Sequence, residues 1–283
     1  MRSLATAVLL LLLAESAVAS VYLKRDRQPK EAGAFAKQTA VEEKPKKDDG
    51  KLFKASNDWY YAVDLVGSVS SNTFSCLKSN GVSTIFARIY SGSNGGQTDT
   101  SGVQNAITAY NTGLNIEAFI QPSPSSSKTG GQQFNEAYNY ATGQGLRLSR
   151  VWLTVHSPID WGSYSYSNVN FIQSVISAAN NAGVQIAIYT NWYDWDQITA
   201  SSTSIASNTQ LWNANGYGSR AEGYGDFSDF FSFGNFRSAT IKQYGLGESI
   251  CSTTVNVNTY PVNGLKAANS IDAEIVAKSQ QKQ

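Results

Sequence analysis

Histidine, methionine, cysteine and charged side chains are all scarce in this 283-residue sequence. It holds one His, one Met, two Cys and six Pro, and Asp, Glu, Lys and Arg together make up 15% of it. With His156 as the sole histidine, Asp194-x-Asp196 is too thin a ligand set for zinc, so no metal is expected. A Ser-His-Asp triad would have to draw on His156, yet no Gly-x-Ser-x-Gly elbow occurs. No cofactor is expected either. From Trp59 to Asn263, eight Lys plus Arg stand against eleven Asp plus Glu, a net of −3, so no basic surface tracks phosphates and nucleic acid is not an expected partner. Beyond residue 20 every apolar run is broken by Asn, Ser, Gly or charge within a dozen residues, which excludes a bilayer-spanning helix there. No self-similar period is present, so whatever regularity the chain has is architectural only.

What is present divides the chain into four segments. Arg2, the apolar stretch Leu4 to Ala14 and Ala17-Val18-Ala19 before Ser20 have the order of a secretory signal peptide over residues 1–19, too short for a mature anchor. The protein is therefore expected to be exported, with no membrane association. From Val21 to Ser56, ten basic and six acidic side chains accompany almost no aromatic residue, so residues 20–56 read as a charged disordered linker or propeptide. Lys24-Arg25 and Lys46-Lys47 are either processing sites or plain solvating charge. Residues 57–263 hold all six Trp and both Cys, and roughly 200 residues suffice for one single-core domain. After Pro261 the sequence turns polar, so residues 264–283 read as a tail in which Ile271 to Ala277 form at most a short helix. The whole-chain charge of +1 thus hides a basic arm on a slightly acidic domain.

In an exported protein an even cysteine count favours pairing, and a Cys76–Cys251 bridge would tie the start of the domain to its end. Such a loop is worth about 5 kcal/mol in the chain-entropy model. Two buried thiols are the alternative.

Short β-like runs alternate with helix-like stretches through the domain. The runs are Tyr60 to Val66, Ser83 to Tyr90, Leu114 to Gln121, Arg150 to His156, Val184 to Tyr189 and Thr240 to Tyr244. Between them Thr73 to Asn80, Gly102 to Thr112, Gln132 to Gly143 and Val169 to Ala182 read as helices, two of them stopped by Gly81 and Gly183. Strand, helix, Gly and strand repeated this often implies an α/β fold with a parallel sheet closed as a TIM-like barrel. Asn213 to Asn235, rich in Gly, Phe, Tyr and Asp, breaks the rhythm and reads as a long loop with irregular or antiparallel strand.

In such barrels function sits at the carboxyl ends of the strands. Here those ends carry Asp64, Arg88 to Tyr90, Gln121, His156, Thr190-Asn191, Trp212 and Gln243. Together with Tyr61-Ala62-Val63-Asp64, Phe74-Ser75-Cys76-Leu77-Lys78, Arg150-Val151-Trp152-Leu153, Ile188-Tyr189-Thr190, Leu211-Trp212 and Lys242-Gln243-Tyr244, in that order, the domain resembles the lysozymes of glycoside hydrolase family 25, particularly the nematode branch. The resemblance implies a modified (β/α) barrel that acts on peptidoglycan at the β-1,4 bond after N-acetylmuramic acid.

The same resemblance implies an Asp ending the first strand, matched by Asp64, and an Asp-x-Glu on the fourth. That two-residue spacing puts both carboxylates into one pocket, since alternate residues of a strand share a face. In the family the Glu is taken as the general acid. Here the pair is replaced by Thr154 and His156, and the closing region, where the branch often carries an Asp, reads Val255-Asn256-Val257-Asn258.

Loss of these carboxylates points to impaired catalysis, because an imidazolium at position 156 would add positive charge beside an oxocarbenium-like state. Asp160 is the best candidate for a relocated carboxylate, against its reading as a turn former before Trp161. Tyr90, Tyr189, Trp192, Trp195, Trp212 and Gln243 are the candidate glycan contacts, with core packing the competing reading for the aromatics.

Three functions are therefore in play: a secreted, peptidoglycan-directed defence protein with weak or no hydrolysis, an active muramidase with substituted residues, and a plain interaction scaffold. The expected partner is bacterial cell-wall glycan, met as a monomer.

Overall fold

The computed structural model describes residue 53, residues 58–265 except 206, 217, 219, 221 and 222, and the backbone of 269–271. The signal-peptide reading, the linker reading apart from Phe53, and all but the first residue of the expected helix from Ile271 lie outside the described residues. Phe53, expected in the disordered linker, is instead buried in the domain core, its amide donating to the Asn80 carbonyl at 3.0 Å.

Eight strands close into a barrel. In chain order these are β1 (Trp59–Leu65), β2 (Val82–Ser91), β4 (Asn115–Ile120), β6 (Arg150–Thr154), β7 (Gln185–Thr190), β8 (Leu211–Ala214), β9 (Ile241–Ile250) and β10 (Thr253–Pro261). Neighbours run parallel from β1 round to β9. The antiparallel β10 sits between β9 and β1 and completes the ring. Short β3 (Gln97–Thr98) pairs with the end of β2, while β5 (Leu146–Leu148) pairs with β11 (Asn269–Ile271) in a separate ribbon. Within the expected polar tail, Asn269–Ile271 is thus strand.

Helices α1 (Ser71–Ser79), α2 (Thr100–Asn111), α3 (Gly130–Gly143) and α4 (Ser165–Asn181) fall where the sequence places them. Side chains of Ser70 and Asp99 cap α1 and α2, and Thr129 with Gln132 forms a reciprocal capping box on α3. Gly81 and Gly183 take φ of +95° and +71° just after their helices, the left-handed stops expected of them. A fifth helix, α5 (Trp192–Thr199), occupies what reads in sequence as a polar turn. Asn191 caps it by accepting from the Asp194 amide. Among the described residues no helix is long and apolar enough to cross a membrane.

Two hydrophobic cores follow from the alternation of the strands. Outward-facing residues such as Val63, Ile85, Ile116, Val151 and Ile188 pack against the helices. Inward-facing Ala62, Phe86, Phe119, Trp152, Ala187, Trp212, Ile241 and Tyr260 fill the barrel. Phe86, Trp152 and Trp212 meet there with ring centroids 4.5 to 6.1 Å apart, the tilted and edge-on packing that aromatic quadrupoles favour. Below them Glu117, itself buried, accepts from Arg150 Nη2 at 2.6 Å and from Trp152 Nε1 at 2.8 Å.

Cys76 on α1 and Cys251 form a disulfide spanning 175 positions, in agreement with the pairing expected from the sequence. Cys251 and Ser252 make the two-residue turn between β9 and β10, with φ of 54° and 60°. This geometry usually calls for Asn or Gly. The bridge to α1 and the long hairpin ladder hold it here without either.

Candidate functional site

Adding two residues to six of the inward-facing core positions, all on parallel strands, reaches the mouth of the barrel. Asp64 stands above Ala62, Gln121 above Phe119, Thr154 above Trp152, Tyr189 above Ala187, Ala214 above Trp212 and Gln243 above Ile241. All six line one cavity of about 380 Å³, joined by Asn256 of the antiparallel strand and by His156 just past the end of β6. Trp212 and Phe119 form its apolar floor.

Asp64 is the hub of this cavity. Its Oδ1 accepts from Gln243 Nε2 and Asn258 Nδ2, and its Oδ2 from Asn256 Nδ2, each at 2.8 Å. The three amides are themselves oriented: the Tyr189 hydroxyl donates to Gln243 Oε1, Trp212 Nε1 to Asn258 Oδ1, and the Gly247 amide to Asn256 Oδ1. With their oxygens so occupied, the three side-chain amides turn their N–H groups toward the one carboxylate. Burial pushes the Asp64 pKa above its ordinary value, and the three amide hydrogen bonds only partly offset that. Burial and the neighbouring carboxylates of Asp64 and Asp194 likewise push the Tyr189 hydroxyl up, so it stays a donor.

His156 sits at the rim, with 42% of its side chain accessible and its ring edge-on to Tyr189. The surrounding protein lowers its pKa below 6.5, outweighing the attraction of Asp194, Asp160 and Asp64, so the neutral imidazole is favoured near neutral pH. Its Nδ1 lies 4.0 Å from Asp194 Oδ2, beyond hydrogen-bond reach. Asp194 in turn accepts from Asn191 Nδ2 at 3.0 Å, and burial raises its pKa. In the sequence Asp194 enters only as half of a thin metal pair, whereas the structure makes it the polar link between the ends of β6 and β7. The available signal was Asn191-x-x-Asp194, a helix-cap spacing. Among the described residues no group of three His, Cys, Asp or Glu gathers as a metal site would require.

Several sequence expectations need correction. Tyr90 is fully buried and donates to Glu136 at 2.8 Å, so it offers no ring face to a glycan. The cause is a register shift between Arg88 and Tyr90, a bulge that turns Tyr90 out of the barrel so that it joins Ile89 against the helices. Trp195 is 1% exposed, packs on Phe236 and donates to the Ser202 carbonyl, because it faces inward from a helix. Trp192 is half exposed beside Phe231 and Tyr193 but does not line the cavity. Asp160 faces a separate, neighbouring cavity, away from Asp64.

The model of the lysozyme-like protein 1 family matches residues 55–244. The chain belongs to this family, a lysozyme-like group of the glycoside hydrolase family 25 type. Lysozyme-like protein 1 of Caenorhabditis elegans is 39% identical to it over 212 residues, covering 74% of this chain and 71% of the relative. Lysozyme-like protein 2 of the same organism is 40% identical over 209 residues, covering 73% and 75%. Among solved structures, a family GH25 lysozyme from Aspergillus fumigatus shares the fold with a TM-score of 0.54 at 15% identity, covering 71% of this chain and 93% of that one. The lysozyme-like chain thus has the TIM-like barrel that its strand pattern implies, with residues of seven of the eight barrel strands contributing to the mouth or its hydrogen-bond network.

Proposed function

We propose that this lysozyme-like chain is an exported protein that binds the glycan of bacterial peptidoglycan and hydrolyses it weakly or not at all, in a setting of antibacterial defence. The observation that carries this reading is the end of the fourth barrel strand. Thr154 and His156 stand at the cavity where the glycoside hydrolase family 25 pattern calls for Asp and Glu, and Asp64 is the one carboxylate among the described lining residues.

A glycosidase needs a proton donor near the leaving oxygen and a carboxylate that stabilises the developing cation. Thr154 supplies neither, and a neutral His156 supplies no proton. Asp64 is held by three amides as an acceptor. Losing a positioned acid typically costs a factor of about 10² to 10⁴ in rate. The apolar floor and the ring of amide and hydroxyl groups remain suited to a sugar, which presents an apolar ring face and polar edges.

The test pairs turbidity loss of bacterial cell walls between acidic and neutral pH with a pull-down on insoluble peptidoglycan. Retention without clearing is the expected result. The double substitution Thr154→Asp with His156→Glu is expected to restore clearing. Brisk clearing by the wild type, lost in Asp64→Asn but kept in His156→Ala, would overturn the assignment.

A further inference from the structure

A second cavity, of about 260 Å³, adjoins the first and shares Gln121 with it. Its walls are the segment after β2, with Gly92 and Ser93, and the segment after β4, from Pro122 to Ser125. Asp160 closes one side. Hydroxyls and backbone dominate this lining, in contrast to the aromatic floor of the first cavity.

Asp160 is its charged group. The side chain is exposed, and its carboxylate accepts no hydrogen bond from any described residue. The turn that carries it is nevertheless fixed. Ser157 adopts φ of 60°, the Asp160 amide donates to the Ser157 carbonyl at 2.9 Å, and Trp161 Nε1 donates to the His156 carbonyl at 3.1 Å. Neither cavity is lined by Lys or Arg, and the guanidinium of Arg88, which donates to Gln121 of the shared wall, is paired with Asp99. Asp160 is therefore the one charged side chain among the described residues that line the second cavity.

We propose that this cavity is an accessory subsite for a primary ammonium group carried on the glycan bound next door, with Asp160 as its counter-ion and Ser93, Ser123 and Ser125 accepting the remaining ammonium hydrogens. The proposal rests on the glycan-binding reading of the first cavity. It adds that the protein prefers glycan bearing free amines, whether on a peptide stem or on a de-N-acetylated sugar.

The test measures binding of the full chain to chitosan and chitin oligosaccharides of equal length, which differ in ammonium against acetamide groups. It does the same for cell-wall sacculi before and after N-acetylation of their free amines. Wild type is expected to favour the ammonium-bearing member of each pair by about two- to five-fold, the range of a partly exposed ion pair. Asp160→Asn, at an exposed position, is expected to keep the thermal melt and bind both members as wild type binds the acetylated one. Sacculi stripped of stem peptides by an amidase separate the sources: a preference lost on stripping assigns the stem amine, and one retained assigns the sugar amine.

Equal wild-type binding to both members, a preference unchanged in Asp160→Asn, or binding to none of the probes overturns the proposal. An Asp160-dependent preference for chitosan without any binding to sacculi upholds the ammonium subsite and overturns the cell-wall reading.

Discussion

Asp64 is where burial and hydrogen bonding oppose each other most directly. Burial raises its pKa above 3.8, so the folded chain holds that proton more tightly than the unfolded chain does. At pH above the raised value both states are ionised and the penalty for burying the charge is fully present. Below 3.8 both are protonated and it is gone. Asp64 therefore costs stability at neutral pH, and the cost fades as pH falls through that window. Asp64→Asn carries no charge but sets an amide N–H against donors that the carboxylate accepted, a loss that does not depend on pH, so its melting temperature relative to wild type should be higher at pH 7 than at pH 4. An offset that does not change with pH would contradict the sign assigned to Asp64.

The two tryptophans of α5 make a complementary pair of predictions. Trp195→Ala should destabilise by about 3–5 kcal/mol in denaturant titration, as truncation of a buried aromatic does. Trp192→Ala, half exposed, should stay within about 0.5 kcal/mol of wild type. In sequence these residues are indistinguishable, three apart in one aromatic run, because composition does not say which side of a short helix meets the barrel. Tyr90 was hidden in a similar way. Alternation from Phe86 places it inside the barrel, and only the bulge after Arg88 sends it out.

At the scale of elements, six of the eight barrel strands and four of the five α-helices among the described residues are legible from apolar runs and glycine stops. The two strands that escape have a physical reason to do so. Leu211–Ala214 is four residues long in a Gly- and Asn-rich stretch. Thr253–Pro261 carries Asn256 and Asn258 on its inward face because they serve Asp64, and so it lacks the usual apolar signature. The excursion from β8 to β9 is held by Lys242, whose fully buried ammonium contacts both oxygens of Asp229 at 2.7 and 2.8 Å and the Asp226 carbonyl at 2.9 Å. Asp229→Asn strips that cation of its counter-charge and should cost about 3–5 kcal/mol. Limited proteolysis should then cut between residues 223 and 240 before any other part of the barrel. Unchanged stability would mean that the pair does not hold the segment.

At the scale of the whole molecule, the Cys76–Cys251 bridge joins the first helix to the hairpin that closes the barrel, constraining nearly the full domain. Replacing both cysteines with serine should lower unfolding free energy by about 2–5 kcal/mol, read from equilibrium denaturation. A loss well below 1 kcal/mol would show that the barrel closes without it. The fold and the position of the cavity were readable because a parallel barrel places its functional groups at strand ends. Asp64, Thr154, His156, Tyr189, Trp212 and Gln243 do meet there. The amide clamp and the Asp194 link were not readable, since both join residues that only closure of the ring brings together.

The most direct measurement of the central claim is the release of new reducing ends from purified sacculi by the untagged protein between pH 4 and pH 7. A rate at least about 10²-fold below that of an active family 25 lysozyme under the same conditions is the predicted result. A comparable rate would contradict it, because a proton donor would then be acting effectively where Thr154 and His156 have replaced the carboxylates.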